Sequence, residues 1–181
     1  MKYLLATFSV FLLCSYTLFT NVFDFTIITP DGNEQSLNIY QGKPLMIVIL
    51  PSVQNDSNSM MLYALDSLHS QLSDSLTIIG IPSYEDNYAD DSLESLITWY
   101  HSILDSGFVI AQGMNTRKAS PYQSALFHWL TYADENGHFD EDIIGTGEKF
   151  IIATDGTLHG LISPDALCDP ETIQQLLNSI E

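Results

Sequence analysis

The sequence predicts a three-layer α/β domain: a mixed sheet with helices on both faces and a hairpin ahead of the central strand. Three observations carry this. The seven residues from Leu45 to Pro51 hold neither a charge nor a hydroxyl, too short a run for a membrane span and typical of a strand covered on both faces. A second such run, Leu76 to Ile81, follows one helical segment later, so the two strands are parallel if the helix between them is a right-handed crossover. Near the end, Phe150 to Ala153 and Thr157 to Ile162 flank Thr154-Asp155-Gly156, turn residues that make an antiparallel pair.

Taken in order, Val22 to Ile28 and Ser36 to Tyr40 read as short strands about the turn Pro30-Asp31-Gly32-Asn33. The central strand leads into a helix that Asp56 or Ser57 can cap, with Met61, Leu65, Leu68 and Leu72 on one stripe. After the second parallel strand, Pro82 to Asp90 is a polar loop. Asp91 and Glu94 have capping-box spacing ahead of a face made by Leu93, Leu96, Ile97, Tyr100 and Leu104. Phe108 to Ala111 is a short strand. Ser120-Pro121-Tyr122-Gln123 has the form of a helix start, with Tyr122, Ala125, Leu126, Trp129 and Leu130 as its apolar side. Asp134 to Gly147 reads as a long acidic loop. Asp169-Pro170 opens the last helix, with Ile173, Leu176, Leu177 and Ile180 inward. A parallel βαβ half followed by a hairpin and a closing helix is a thioredoxin-like plan.

Totals narrow the function. The 181 residues carry 23 acidic against 5 basic side chains, a formal charge of −18. Such a surface cannot neutralise phosphates, which argues against nucleic acid and against anionic lipid. It suits a soluble exported protein. Residues 1–20 read as a targeting segment: Lys2 is the only charge before Asp24, and Tyr3 to Phe19 is nearly all apolar. Cleavage after small pairs such as Ser15/Thr17 or Thr17/Thr20 is one reading, and an uncleaved anchor is the other. Any membrane association is expected through this segment alone. The two cysteines are Cys14 and Cys168. Cys14 lies in the targeting segment, so residues 21–181, the expected folded domain, hold a single thiol and no internal disulfide.

In open α/β sheets, chemistry sits where a central strand hands over to a helix N-terminus. Here that is Ser52-Val53-Gln54-Asn55-Asp56-Ser57, a loop of amides, hydroxyls and one carboxylate. It has no thiol, no histidine and no phosphate-cradling glycines. Asn55-Asp56-Ser57 is also a glycosylation sequon.

Three segments of the chain resemble glutathione peroxidases: Phe23-Asp24-Phe25 through Asp31-Gly32 and Tyr40-Gln41-Gly42-Lys43 to Pro51-Ser52; Ala119-Ser120-Pro121 with Leu126 to Leu130; and Glu148 to Ile152 with Asp155-Gly156. The resemblance implies a thioredoxin-like fold from Phe23 onward. It places the family's peroxidatic cysteine or selenocysteine on Gln54, its glutamine near Glu85, and its tryptophan and asparagine on Gly145 and Thr146. None of the four family residues is kept. Peroxide reduction needs a thiolate or selenolate that is oxidised and then reduced back. A carboxamide or a serine hydroxyl cannot do this, and residues 15–167 contain no cysteine. No catalytic residue, metal or cofactor is therefore expected, and the partner is an unidentified protein or small molecule.

Two alternatives stand beside this non-catalytic reading. Cys168, next to a helix start, is the one thiol that could serve a peroxidase, although as a lone cysteine it is by default structural. The loop Asp134 to Asp142 is rich in oxygen ligands and could make a Ca²⁺-binding surface module, but Gly137 is misplaced for an EF-hand. The histidines at 69, 101, 128, 138 and 159 show no metal-ligand spacing. Glu85-Asp86 and Asp90-Asp91 read as loop solvation and a helix cap.

Overall fold

A computed structural model describes residues 21–88, 93–166 and 169–180. The expected targeting segment, the Asp90-Asp91 pair and Cys168 lie outside the described residues.

A five-stranded sheet has the order β5-β4-β3-β6-β7. At its centre β3 (Leu45–Leu50) pairs parallel with β4 (Thr77–Pro82) and antiparallel with β6 (Lys149–Ile152). At the edges β5 (Val109–Ile110) is parallel to β4, and β7 (Leu158–Ile162) is antiparallel to β6. A separate hairpin, β1 (Thr26–Ile28) with β2 (Glu34–Ser36), precedes them. The expected fold class is thus the observed one.

All six residues of β3 are fully buried. Strand alternation sends Leu45, Ile47 and Ile49 to one core and Met46, Val48 and Leu50 to the other. Each contributes roughly 2 kcal/mol by leaving water. The second core is closed by α1 (Asp56–Leu72), α2 (Leu93–His101) and α5 (Pro170–Asn178). The first is closed by α3 (Ala125–Thr131), which is followed by the single turn α4 (Ala133–Asn136).

Several local expectations need correction. The second strand stops at Ser36, because the Ser36 side chain accepts the Asn38 amide and starts a 3₁₀ turn over Leu37–Tyr40. Asn55 caps α1, not Asp56 or Ser57: its backbone is still extended and its Oδ1 accepts the Asn58 amide at 2.8 Å. Leu62 joins the buried stripe, while Met61 is only half-buried at its edge. The third helix begins four residues later than expected. Ser124 is its cap, Ser120 to Gln123 form a turn, and Tyr122 is 79% exposed. Gln123 does not close a capping box but donates to the Thr116 carbonyl at 2.9 Å and to Thr131 Oγ at 3.1 Å. The loop after Asp134 carries the turn α4, ended by Gly137 at φ +79°. By contrast Asp169 caps α5 with Pro170 in its first turn, as the sequence suggests.

Among the described residues no helix is long and apolar enough to cross a membrane.

Candidate functional site

The loops leaving β3 and β4 meet the segments around Thr116 and Gly145 in a polar cleft of about 320 Å³. Glu85, Gly145 and Thr146 all line it, together with Ser52, Asn58 and Arg117. The sequence separates these positions by as much as 94 residues, and the sheet brings them to one end. Gln54 does not join them. It is exposed and opens instead onto a groove of about 410 Å³ shared with Glu94, Thr98 and Trp99 of α2. The groove and the cleft share no lining residue.

Glu85 is structural rather than a solvated loop acid. Its Oε2 accepts the Ser83 hydroxyl at 2.9 Å, the Thr116 amide at 3.0 Å and the Thr116 hydroxyl at 3.2 Å. Ser83 and Thr116 are fully buried, so these hydrogen bonds form away from water and count for more. Burial pushes the Glu85 carboxyl up, but donors led by the Thr116 amide and the Ser83 hydroxyl outweigh it and hold the group below the usual range. Its other oxygen, Oε1, is buried without a protein partner.

Asp86 is the second correction. Its Oδ1 pairs with Arg117 at 2.6 Å, and its Oδ2 accepts the Thr146 hydroxyl at 3.1 Å. One carboxylate therefore ties together three loops. Arg117 is the chain's only arginine, and sequence reasoning passed it by. The signal was there: with so few bases among so many acids, an arginine is a natural partner for a carboxylate. Glu148 braces the same wall from behind. It is 2% exposed, and its Oε2 accepts the Ile144 amide at 2.6 Å. Burial pushes its carboxyl up, and the nearby Asp142 and Glu141 charges add to that against the amide hydrogen bonds.

The acidic loop uses several of its oxygens within the fold. Asp140 pairs with Lys118 at 2.5 Å, Asp142 Oδ1 accepts the Lys118 and Ile143 amides, and Asn136 Oδ1 accepts the His138 and Phe139 amides. These three oxygens are engaged by the protein itself. Among the described residues no group of three or more histidine, cysteine or acidic side chains could hold a metal ion. His69 packs edge-on against Phe108, and His128 stacks on Tyr132.

No described residue brings a thiol to the cleft, since both cysteines lie outside the described residues. What the cleft has is oxygen and nitrogen donors and acceptors, fit for binding.

A central β3 with a parallel neighbour on one side, an antiparallel pair on the other and a site at the head of α1 defines a thioredoxin-like fold of the glutathione peroxidase type. Among solved structures, the chain is similar to Trgpx in apo form, with 20% identity and a TM-score of 0.67 over 89% of this chain and 95% of that one. It is similar to T. cruzi GPX1, with 15% identity and a TM-score of 0.65 over 89% of this chain and 96% of that one. A thiol:disulfide interchange protein of the thioredoxin family from Chlorobium tepidum matches with 17% identity and a TM-score of 0.58 over 89% of this chain and 95% of that one. At these identities the likeness is one of fold. No family model matches the chain, and no curated protein matches it in sequence.

Proposed function

We propose that this is an exported, glutathione peroxidase-like protein that binds rather than turns over. The observation that carries the reading is the chemistry at the head of α1. Residues 15–167 contain no cysteine, and the positions that the family resemblance assigns to catalysis are Gln54, Glu85, Gly145 and Thr146. Two further features support it. Gln54 lines a different groove from the cleft that holds the other three, so the four positions do not share one pocket. The cleft itself is braced by the Asp86–Arg117–Thr146 and Glu85–Thr116 hydrogen bonds. Those bonds preorganise a polar recognition surface, flanked by Val53 at 45% and Ile144 at 72% exposure.

The test is hydroperoxide consumption by the purified chain, with glutathione and with thioredoxin as reductant. The expected result is no turnover above the protein-free rate. Enzymatic turnover that vanishes in Cys168→Ser would overturn the reading and assign a peroxidase to that thiol.

A further inference from the structure

Four basic residues lie within the described chain, and three have partners. Lys43 donates to the Ser73 carbonyl at 2.5 Å, Arg117 pairs with Asp86, and Lys118 pairs with Asp140. The Lys149 side chain makes no hydrogen bond or ion pair with any described residue, in a chain with 23 acids. It is also the most buried of the four, at 4% exposure.

Its position follows from the register of β6. Phe150 and Ile152 point into the core beneath α3, so Lys149 and Ile151 point to the side covered by α1. Lys149 stands between Val48 of β3 and Ile162 of β7. A lysine on a strand edge commonly lays its methylenes on apolar surface and lifts its ammonium into water. At 4% exposure this one scarcely reaches water. The little exposure that remains includes the ammonium, which is not among the fully buried atoms without a partner, and no described carboxylate lies within 4.0 Å of it; an ammonium with so little water around it gains from an anion.

The side chain opens into a cavity of about 310 Å³ between Met60, Met61, Ala64 and Leu65 of α1 and the segment from Pro164 to Ala166. Gly147 backs it: a Cβ there would come within 3.2 Å of the Met61 sulfur. The walls are thioether, methyl and proline surface, with Asp165 exposed at the mouth and more than 4.0 Å from the Lys149 ammonium. The cavity shares no lining residue with the cleft described above. A mostly apolar pocket with one fixed charge is the usual form of a small-molecule site, and this one is at the small end of the range. Methionine walls adapt to varied apolar shapes.

We propose that this cavity binds a small amphiphilic carboxylate, an apolar chain or ring whose anionic end meets Lys149. The match satisfies the ammonium and buries the apolar body against α1. Asp165 at the mouth is exposed, so it disfavours a second negative charge on the ligand only weakly and less so at high salt.

The test uses the full chain with octanoate, octanol and succinate as probes, read by calorimetry and by ¹³C-methyl NMR of the methionines. Octanoate is expected to saturate one site and to shift the Met60 and Met61 methyls while leaving Met114 in place. Succinate is expected not to bind. Lys149→Met should weaken octanoate about tenfold or more, the loss of one charge-assisted hydrogen bond, and leave octanol within about threefold. Ala64→Phe, at the exposed wall, should abolish both. The proposal fails if octanoate does not bind, if it binds no tighter than octanol, or if it shifts methyls other than those of Met60 and Met61. Should Lys149→Met not fold, octanoate binding unchanged in Ala64→Phe overturns the assignment by itself.

Discussion

Asp86 and Arg117 meet at 2.6 Å across the cleft, with side chains 14% and 37% exposed. The asymmetry matters. Arg117 is wet enough that the pair itself adds little, but Asp86 is sequestered and would be left with Thr146 as its only partner. Arg117→Met is therefore expected to destabilise the chain by about 1–3 kcal/mol. Asp86→Asn, which leaves an acceptor for Thr146 and no stranded charge, should cost less. Urea unfolding of both variants and the double mutant measures the difference, and equal losses would contradict the asymmetry.

Glu85 and Glu148 should respond to pH in opposite directions. Glu85 is held below the usual carboxylate range by its donors. Its stabilisation is therefore present above the unfolded value of about 4.3 and is lost as pH falls through the depressed one. Glu148 is pushed above that range by burial and neighbouring acids. Its charged form opposes folding, so the native state is favoured below about pH 4.3 and loses that advantage as pH rises through the raised value. At about pH 7, Glu148→Gln should raise Tm, since a carboxamide oxygen can still accept the Ile144 amide, and Glu85→Gln should lower it. Both differences should shrink on acidification. Thermal melts of the three proteins across pH check this, and a shared sign at neutral pH would refute it.

Tyr100 is fully buried and donates to the Pro51 carbonyl at 2.7 Å. Burial pushes its hydroxyl up, with the Tyr88 charge adding to it, so the group stays a donor across the physiological range. The bond ties α2 to the end of β3, at the root of the loop that carries Gln54. Tyr100→Phe strands that carbonyl and should cost about 1–2 kcal/mol. Faster amide exchange at residues 52–55 would show that the loop is what the bond holds.

Calcium should leave the melting temperature unchanged. Asp140, Asp142 and Asn136 are already engaged by Lys118 and by loop amides, and a cation would have to break those contacts to gain ligands. A saturable rise in Tm with Ca²⁺ would restore the calcium reading.

Short-range pattern alone determined the central strand, the Asp155-Gly156 turn and the Asp169-Pro170 helix start. In each, the deciding physics lies within a few residues: a run of apolar side chains, a glycine at φ +87°, a carboxylate reaching the Thr172 amide at 2.9 Å. The lack of a cysteine between residues 15 and 167 was likewise plain from composition. Tertiary structure decided the rest. Ser120 reads in the sequence as the start of α3, but Ser124 is its cap, with Gln123 bonded to Thr116 and Thr131 in the turn before it. Asp86 and Arg117 are 31 positions apart, and no local rule pairs them. Lys149 reads in the sequence as one more charge at a strand start. Only the facing of β6 toward α1 turns it into a largely buried lysine on the wall of an apolar cavity, because alternation fixes that neighbours face opposite ways while packing fixes which way each one faces.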